Sequence, residues 1–587
     1  MSWEAWFTLA IVVITIVLLA LERLPPWSVM LGAVIILLVA GVVDVPQAFG
    51  GFANPAPITV AALYVLAGAA EATGALDALG SVLGRGQRER SDLAKITTTT
   101  AASSAVVNNT PLVAVMTPQI SAWARRHGRS PGRYLMPLSF AAILGGTVTA
   151  IGTSTNLVVS GLLLDAGAKP LSMFEITAVG LPLAVVGLGV LILFAPTLLP
   201  KRSGSSEHIE DEMREYTVEM IVTGQGVAGK TVEEAGLRHL EGVFLAQIER
   251  QDHLIAPVAP TEILEANDRL MFAGNAERVL DLQRMRGIIS AEEHHFRVGG
   301  NEDQRFFEAV VGTSSPLAGT TLKDAGFRGE YGGAVVALHR AGERVREKLG
   351  EVRLRAGDVL LVIADRDFAH RWKDRYDFLL VAPVGESGLV RSSKAPIVGI
   401  CALAVVVISA TGVLSILEIS LLAAIALVLT RCLTLAEARR SLDIEVLVLI
   451  AAAFGVGAAI TESGLAAQLG TLLVDGLGGF GGLALLAGIA VATLILTELV
   501  TNNAAAVLMF PIAIAAAEQF GLEPRGFAIA IAIAASASFL TPIGYQTNTM
   551  VYGVGGYRYG DFARVGWMLT LLAIAAILVI VPLRWPF

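Results

Sequence analysis

A chain of 587 residues that is 54% hydrophobic and only 16% charged, with a mean hydropathy of +0.66, is too apolar for an ordinary soluble domain. Many of its segments exceed the roughly 20 residues needed to cross a bilayer, so it reads as a polytopic α-helical membrane protein. The net charge of −8 excludes a nucleic-acid partner, and two cysteines, Cys401 and Cys432, both in apolar runs, exclude a disulfide framework or thiolate metal cluster.

The first apolar run, Trp6 to Leu21, follows a stretch with Glu4 and no Lys or Arg, which predicts a retained helix rather than a cleaved signal. Further spans are expected at about 3–22, 27–43, 57–80, 134–164 and 174–199, with a hairpin-like pair of half-spans at about 92–124. A polar region at about 204–390 intervenes. A matching series then follows at about 395–412, 416–433, 444–470, 525–552 and 563–583, with its hairpin at about 485–518. Five crossings and one re-entrant pair per half put the second half in the membrane upside down. The expected domains are a membrane repeat over 1–203, two inserted modules over 206–295 and 296–390, and an inverted repeat over 391–587.

Loop charges support one orientation. With the central region inside, Arg85, Arg88, Arg90, Lys95, Arg125, Arg126, Arg129, Arg133, Lys201, Arg202, Arg431, Arg439, Arg440, Arg558 and Arg564 fall on one side. The opposite loops, around Asp44 to Pro57 and Glu462 to Gly482, hold no Lys or Arg; Lys169, Arg525 and Arg584 are the exceptions. The expected placement is the inner (plasma) membrane, with both termini outside and the central modules cytoplasmic. Trp3, Trp6, Trp27, Trp567 and Trp585 sit near span ends as interfacial anchors.

The central region carries charge at soluble density and alternating residues such as Val218, Met220 and Val222, which predict strands. At an offset of 90, Gly229 matches Gly319, Ala235-Gly236 matches Ala325-Gly326, Arg250 matches Arg340 and Asp268 matches Asp358. Two small α/β modules in tandem are therefore expected, linked through Ser203-Gly204-Ser205-Ser206 and Gly385-Glu386-Ser387-Gly388. They read either as a sensor of a small molecule such as a nucleotide, or as a passive tether. His294-His295 lacks companions for a metal site.

The polar residues inside the apolar spans come in matched pairs. Ser104-Ala105-Val106-Val107-Asn108-Asn109-Thr110-Pro111 and Thr497-Glu498-Leu499-Val500-Thr501-Asn502-Asn503-Ala504 are related by an offset of 393, which also carries Pro118 onto Pro511. Gly152-Thr153-Ser154-Thr155-Asn156 and Gly544-Tyr545-Gln546-Thr547-Asn548 are related by an offset of 392. Glycine, proline and clustered hydroxyls inside a long apolar span predict a discontinuous helix, tolerated only where freed backbone is buried in protein or lines a cavity. Half-helix N-termini suit an anion, and unwound carbonyls with side-chain oxygens suit a hard cation. None of the four motifs contains Lys, Arg, His or Cys, so a bound anion would be balanced by dipoles and a co-bound cation. The competing reading, that Asn and Thr here are interhelical glue, does not account for two matched pairs. Glu498 reads either as a functional carboxylate or as a cap on a half-helix.

At these residues the chain resembles the divalent-anion/sodium symporters of the ion-transporter superfamily, whose hairpin tips carry a Ser-Asn-Thr-type tripeptide and whose partner helices carry a Thr-Pro-Pro-Asn-type break. Here the tips read Asn108-Asn109-Thr110 and Thr501-Asn502-Asn503, and neither break has the proline pair. The central modules resemble the regulatory C-terminal (RCK-C type) modules of potassium-uptake proteins, and the combination is similar to the sulfate-transporting branch. The resemblance implies two sodium sites: Ser104, Asn108, Asn109 and Gly152 at the first, and Thr497, Val500 through its carbonyl, Asn502 and Gly544 at the second. It also implies an anion held by Asn109, Thr110, Thr153, Ser154, Thr155, Asn502, Asn503, Gln546 and Thr547, an elevator motion and a homodimer. The expected function is sodium-coupled import of a divalent oxyanion, sulfate foremost. The alternative is a dicarboxylate or other oxyanion carrier, proton-coupled in one version. A cation channel gated by RCK modules lacks a Thr-Val-Gly-Tyr-Gly-type filter here, and an enzyme lacks a nucleophile–base constellation near the motifs.

Overall fold

The computed structural model describes residues 2–21, 24–76, 89–199 and 394–586, and in the central region 217–222, 227–237, 243–250, 253–255, 258–274, 288–290, 304–312, 315–340, 343–345, 349–365, 367–372 and 377–383. Arg85, Arg88, Lys201, Arg202, both linker tetrapeptides and His294-His295 lie outside them. The chain divides into two compact units: Met1–Lys201 with Gly388–Tyr552 and Tyr557–Phe587, and Arg202–Ser387 with Gly553–Gly556.

The first unit is helical. Its first half holds α1 (Trp3–Ala20), α2 (Pro26–Val39), α3 (Val45–Phe49), α4 (Pro55–Ala72), α5 (Glu89–Ser104), α6 (Asn109–Arg126), α7 (Gly132–Gly146), α8 (Ser154–Asp165) and α9 (Thr177–Leu198). Local chemistry sets several starts. Ser2 caps α1 by accepting the Ala5 N–H, and Asp44 with Gln47 forms a capping box at α3. The expected span at 57–80 ends as a helix at Ala72. The span at 134–164 is two helices, α7 and α8, with 147–153 between them.

The central unit contains β1 (Thr217–Val222), β2 (Val243–Arg250), β3 (His253–Ile255), β4 (Arg269–Gly274) and β5 (Ile288–Ser290), then β6 (Gln304–Val311), α10 (Phe327–Tyr331), β7 (Gly333–Arg340), β8 (Glu343–Arg344), β9 (Val359–Asp365), α11 (Phe368–Trp372) and β10 (Phe378–Pro383). Among the described residues two five-stranded sheets result, ordered β3-β2-β4-β1-β5 and β10-β6-β9-β7-β8, with every paired strand antiparallel. Helix is scarce in them: among the described residues the first sheet region has none.

The offset of 90 reappears in atomic detail. Arg250 grips Asp268 through Nε (2.9 Å) and Nη2 (2.8 Å), and Arg340 grips Asp358 at 2.8 and 2.7 Å. The Glu265 and Arg355 N–H groups donate to the same carboxylates, and isolated bridges join Thr231 to Ile263 and Thr321 to Arg353. Both carboxylates are buried, so the bidentate guanidinium is what keeps them paired. Gly229 and Gly319 share a φ of +84°, open to glycine at no steric cost.

The second half of the helical unit holds α12 (Ala395–Thr411), α13 (Ile416–Leu429), α14 (Leu435–Arg440), α15 (Ile444–Glu462), α16 (Leu465–Leu477), α17 (Gly482–Leu499), α18 (Asn502–Gln519), α19 (Pro524–Ser536), α20 (Gln546–Val554) and α21 (Tyr559–Arg584). Thr434 and Glu437 box the start of α14 as Asp44 and Gln47 box α3. The expected span at 444–470 is broken where Gly464 adopts φ +73°, which ends α15 and lets α16 turn onto α18.

Among the described residues, six segments are long and apolar enough to cross a membrane: Trp3–Ala20, Val45–Ala72, Thr177–Leu198, Ile444–Glu462, Gly482–Leu499 and Tyr559–Arg584. α1, α2, α12 and α13 turn large apolar side chains outward, among them Ile14, Ile36, Leu403 and Ile425. By contrast every residue of α7 except Arg133 is buried, as are Gly526 to Ser536 of α19. Helices buried all round belong to the interior of a large helical protein. α5 packs on α7 and α17 on α19, which fixes each hairpin against the helix that leads into its break.

Candidate functional site

Each hairpin turns on a hydroxyl and an asparagine five residues apart. Ser104, the last residue of α5, meets the side chain of Asn109, the first of α6, and donates to the Ala142 carbonyl of α7 at 2.7 Å. Thr497 of α17 meets Asn502 Oδ1 at 2.9 Å and the Ala535 carbonyl of α19 at 2.6 Å. The offset of 393 maps every member of one set onto the other. Val500, with φ −131° and ψ −177°, leaves the helical path between α17 and α18, so its carbonyl is released from the ladder.

The two breaks are stapled by the asparagines that end their motifs. Asn156 Nδ2 donates to the Gly146 and Thr149 carbonyls at 3.2 and 2.9 Å, and Asn548 Nδ2 to the Ser538 and Thr541 carbonyls at 3.1 and 3.2 Å. These are carbonyls that the interrupted helices no longer pair, and in an apolar interior they need a partner. The glycines are there for space. A Cβ on Gly152 would lie 2.5 Å from the Gly146 carbonyl oxygen, and one on Gly544 would lie 2.2 Å from Ser538 Oγ and 3.1 Å from both the Thr497 oxygen and Glu498 Oε2.

Tips and breaks of the two halves meet. Thr110 Oγ1 donates to Gln546 Oε1 at 3.2 Å, and Ser154 and Thr155 each donate to Asn503 Oδ1 at 3.2 Å. Tyr545 OH lies 3.1 Å from Thr153 Oγ1 and 2.6 Å from the Asn109 amide. Four helices, α6, α8, α18 and α20, begin at these residues, so four positive dipole ends gather at one place.

Other singled-out residues are placed differently. Asn108 Oδ1 accepts the Thr110 N–H at 3.3 Å, and Thr501 Oγ1 accepts the Ala504 N–H at 3.4 Å, so both act as caps on the second arms of the hairpins. Thr547 is fully buried and meets Ser139 Oγ of α7 at 2.8 Å; Ser139 also meets Asn548 Oδ1 at 2.7 Å. Glu498 ties its hairpin to the second break, accepting from the Leu540 N–H (2.8 Å) and Thr541 Oγ1 (2.7 Å). Its counterpart is Ala105, whose carbonyl takes the Thr149 hydroxyl instead.

Sequence reasoning missed Ser139 and Thr541 as members of this network, and named Tyr545 within the second break without giving it a ligand role. Tyr545 carried a signal: it stands where the offset of 392 puts Thr153, a hydroxyl moved outward on an aromatic ring. Ser139 carried none, being one serine inside an apolar helix.

A family model described as a citrate transporter, CitMHS, matches residues 16–534. The chain belongs to the CitMHS transporter family. This CitMHS transporter is 38% identical over 553 residues to a proposed sulfur-deprivation response regulator of Chlamydomonas reinhardtii, covering 92% of this chain and 94% of that one. It is 34% identical over 586 residues to an uncharacterized transporter of Synechocystis, covering 97% and 95%. Sodium/sulfate cotransporter 1 of Chlamydomonas reinhardtii is 25% identical over 802 residues, covering 100% and 90%. The chain is thus a multi-pass membrane transporter and not an enzyme.

Proposed function

We propose that this transporter imports sulfate, or a similar divalent oxyanion, together with sodium ions. The observation that carries the reading is the site itself: four helix N-termini and a set of hydroxyl and amide groups converge without a single Lys, Arg or His among the four motifs. Such a site can stabilise an anion but does not neutralise it, so a co-bound cation completes the charge balance. The Ser104–Asn109–Gly152 and Thr497–Val500–Asn502–Gly544 groups supply oxygen ligands of the kind a hard cation takes. The anion is assigned to Asn109, Thr110, Thr153, Ser154, Asn502, Asn503 and Gln546, with Thr155 and Thr547 as buried supports.

The recurrence of hairpin and break at offsets of 393 and 392 supports two repeats of opposite topology, each carrying one cation site, with the anion between them. Alternating access by an elevator motion of the hairpin-bearing part, in a homodimer, fits that construction. Loop charge supports a cytoplasmic position for the central modules, as RCK-C-like regulators, and outside termini. The names of the sodium/sulfate relatives favour sulfate as the anion. A dicarboxylate carrier is the second reading, favoured by the citrate description of the family and by the partial match to a sodium-dependent dicarboxylate transporter of Staphylococcus saprophyticus, 30% identical over 25% of this chain. Competition separates them: labelled sulfate uptake into proteoliposomes should be blocked by unlabelled sulfate and left intact by excess succinate or citrate. Block by succinate or citrate alone reverses the assignment.

A further inference from the structure

We propose that Tyr545 couples the first cation site to the anion site through the orientation of the Asn109 amide. The inference rests on the symport reading above and goes one step beyond it, to the residue that makes one ligand sense the other.

The Asn109 carboxamide lies between Ser104 Oγ and Tyr545 OH; one orientation satisfies its hydrogen bonds by itself, and the other turns its oxygen toward acceptors, where only a cation would pair it. In one, Nδ2 faces Ser104 Oγ, the Ala142 carbonyl (3.2 Å) and the Gly152 carbonyl (3.1 Å), and Oδ1 accepts from Tyr545 OH at 2.6 Å. In the other, Oδ1 faces Ser104 Oγ and Nδ2 donates to Tyr545 OH at 2.6 Å. They differ by a half-turn about the terminal torsion, which is broad and roughly two-fold. A cation held by Ser104 Oγ and the Gly152 carbonyl cannot share them with an N–H. It requires the amide oxygen, and so selects the second orientation.

That selection reaches Tyr545. A phenol has one O–H to give. In the first orientation that proton is used on Asn109 Oδ1. In the second, the phenol oxygen accepts from Nδ2 and the proton turns away, toward Thr153 Oγ1 at 3.1 Å and the surrounding N-termini of α6, α8 and α20 where the anion is assigned. Cation binding therefore releases a hydroxyl donor for the anion. By reciprocity an anion that takes the Tyr545 proton tightens the cation. The second hairpin is built otherwise: Asn502 Oδ1 already faces Thr497 at 2.9 Å, and the residue matched to Tyr545 is Thr153, whose short side chain meets Tyr545 itself.

The test uses the purified full-length protein and the dissociation constant of labelled sulfate, measured without sodium (choline replacing it) and at saturating sodium. The ratio of the two constants is the coupling factor, expected in wild type to be about tenfold or more. Tyr545→Phe keeps the ring and removes the relay, and should bring the ratio down at least about fivefold while sodium alone still raises the melting temperature. Asn109→Asp is the second variant: it keeps an oxygen toward Ser104 but cannot donate to Tyr545, so the ratio should fall there too, even if the phenylalanine variant fails to fold. An unchanged ratio in either folded variant overturns the proposal. So does a weakening of sulfate binding by the same factor with and without sodium. A wild-type ratio of one overturns the symport reading itself, and this inference with it.

Discussion

Arg525 holds Glu175. Its Nη2 donates to Glu175 Oε2 at 2.7 Å, its Nε to the other carboxylate oxygen, and its remaining donors reach the Lys169 and Pro170 carbonyls at 2.8 and 3.2 Å. In the loop-charge pattern Arg525 and Lys169 stand as exceptions. The offset of 392 gives the reason: Arg525 is the counterpart of Arg133, which pairs with Glu89 at the same first turn of α7. Under the proposed inverted topology the copy of an inside arginine would fall outside, and Arg525 clamps the loop before α9.

The clamp gives a pH signature. Burial raises the Glu175 pKa, but the Arg525 guanidinium and the Ser172 N–H outweigh it and leave the carboxyl below its ordinary range. A carboxyl depressed by folding stabilises the native state above the unfolded value of about 4.3 and loses that contribution as pH falls through the native value. Arg525→Ala should lower the melting temperature at neutral pH, at a cost of about 1–3 kcal/mol for a charged hydrogen-bonded pair. It should also flatten the acid limb of stability against pH. An acid limb identical to wild type would remove the clamp from the account.

Asn109→Ala and Asn502→Ala should each abolish uptake while the protein still folds, since a polar contact inside a membrane protein contributes only about 0.6–2 kcal/mol to stability. Gel filtration and melting temperature report the fold, and labelled sulfate uptake reports the site. Near-normal uptake by either variant returns these asparagines to the interhelical-glue reading.

The regular part of this architecture was legible because apolar spans, the polar points within them and the duplication all leave periodic marks on a sequence. The hairpins, expected at 92–124 and 485–518, occupy Glu89–Arg126 and Gly482–Gln519. What escaped has short-range causes. α3 and α14 are five and six residues long, set by capping boxes rather than by any apolar stripe. The break between α15 and α16 depends on the left-handed backbone of Gly464, one of many glycines in an apolar run. Asp268 and Asp358 are matched by the offset of 90, but each is the buried partner of an arginine eighteen residues earlier, a pairing made by the sheet and invisible to local spacing. At the site, motif matching singled out the residues of the tips and breaks but not their roles. Asn108 caps a helix, and Tyr545 does what no matched position in the first half does.

Replacing residues 206–390 by a flexible linker should leave sodium-dependent uptake measurable and remove any response to a cytoplasmic small molecule, a nucleotide being the first to try. A ligand can bias a transporter only by binding its states unequally, so that response should be reciprocal. Uptake by the linker variant, with and without each nucleotide that alters the wild type, decides it. Modulation that survives the replacement makes the modules passive tethers.

The most direct measurement is labelled sulfate uptake into proteoliposomes under imposed gradients. An inward sodium gradient should drive accumulation, and replacing sodium by potassium should abolish it, because the site offers the anion no fixed positive side chain. Uptake that is indifferent to sodium and follows only a proton gradient would contradict the account.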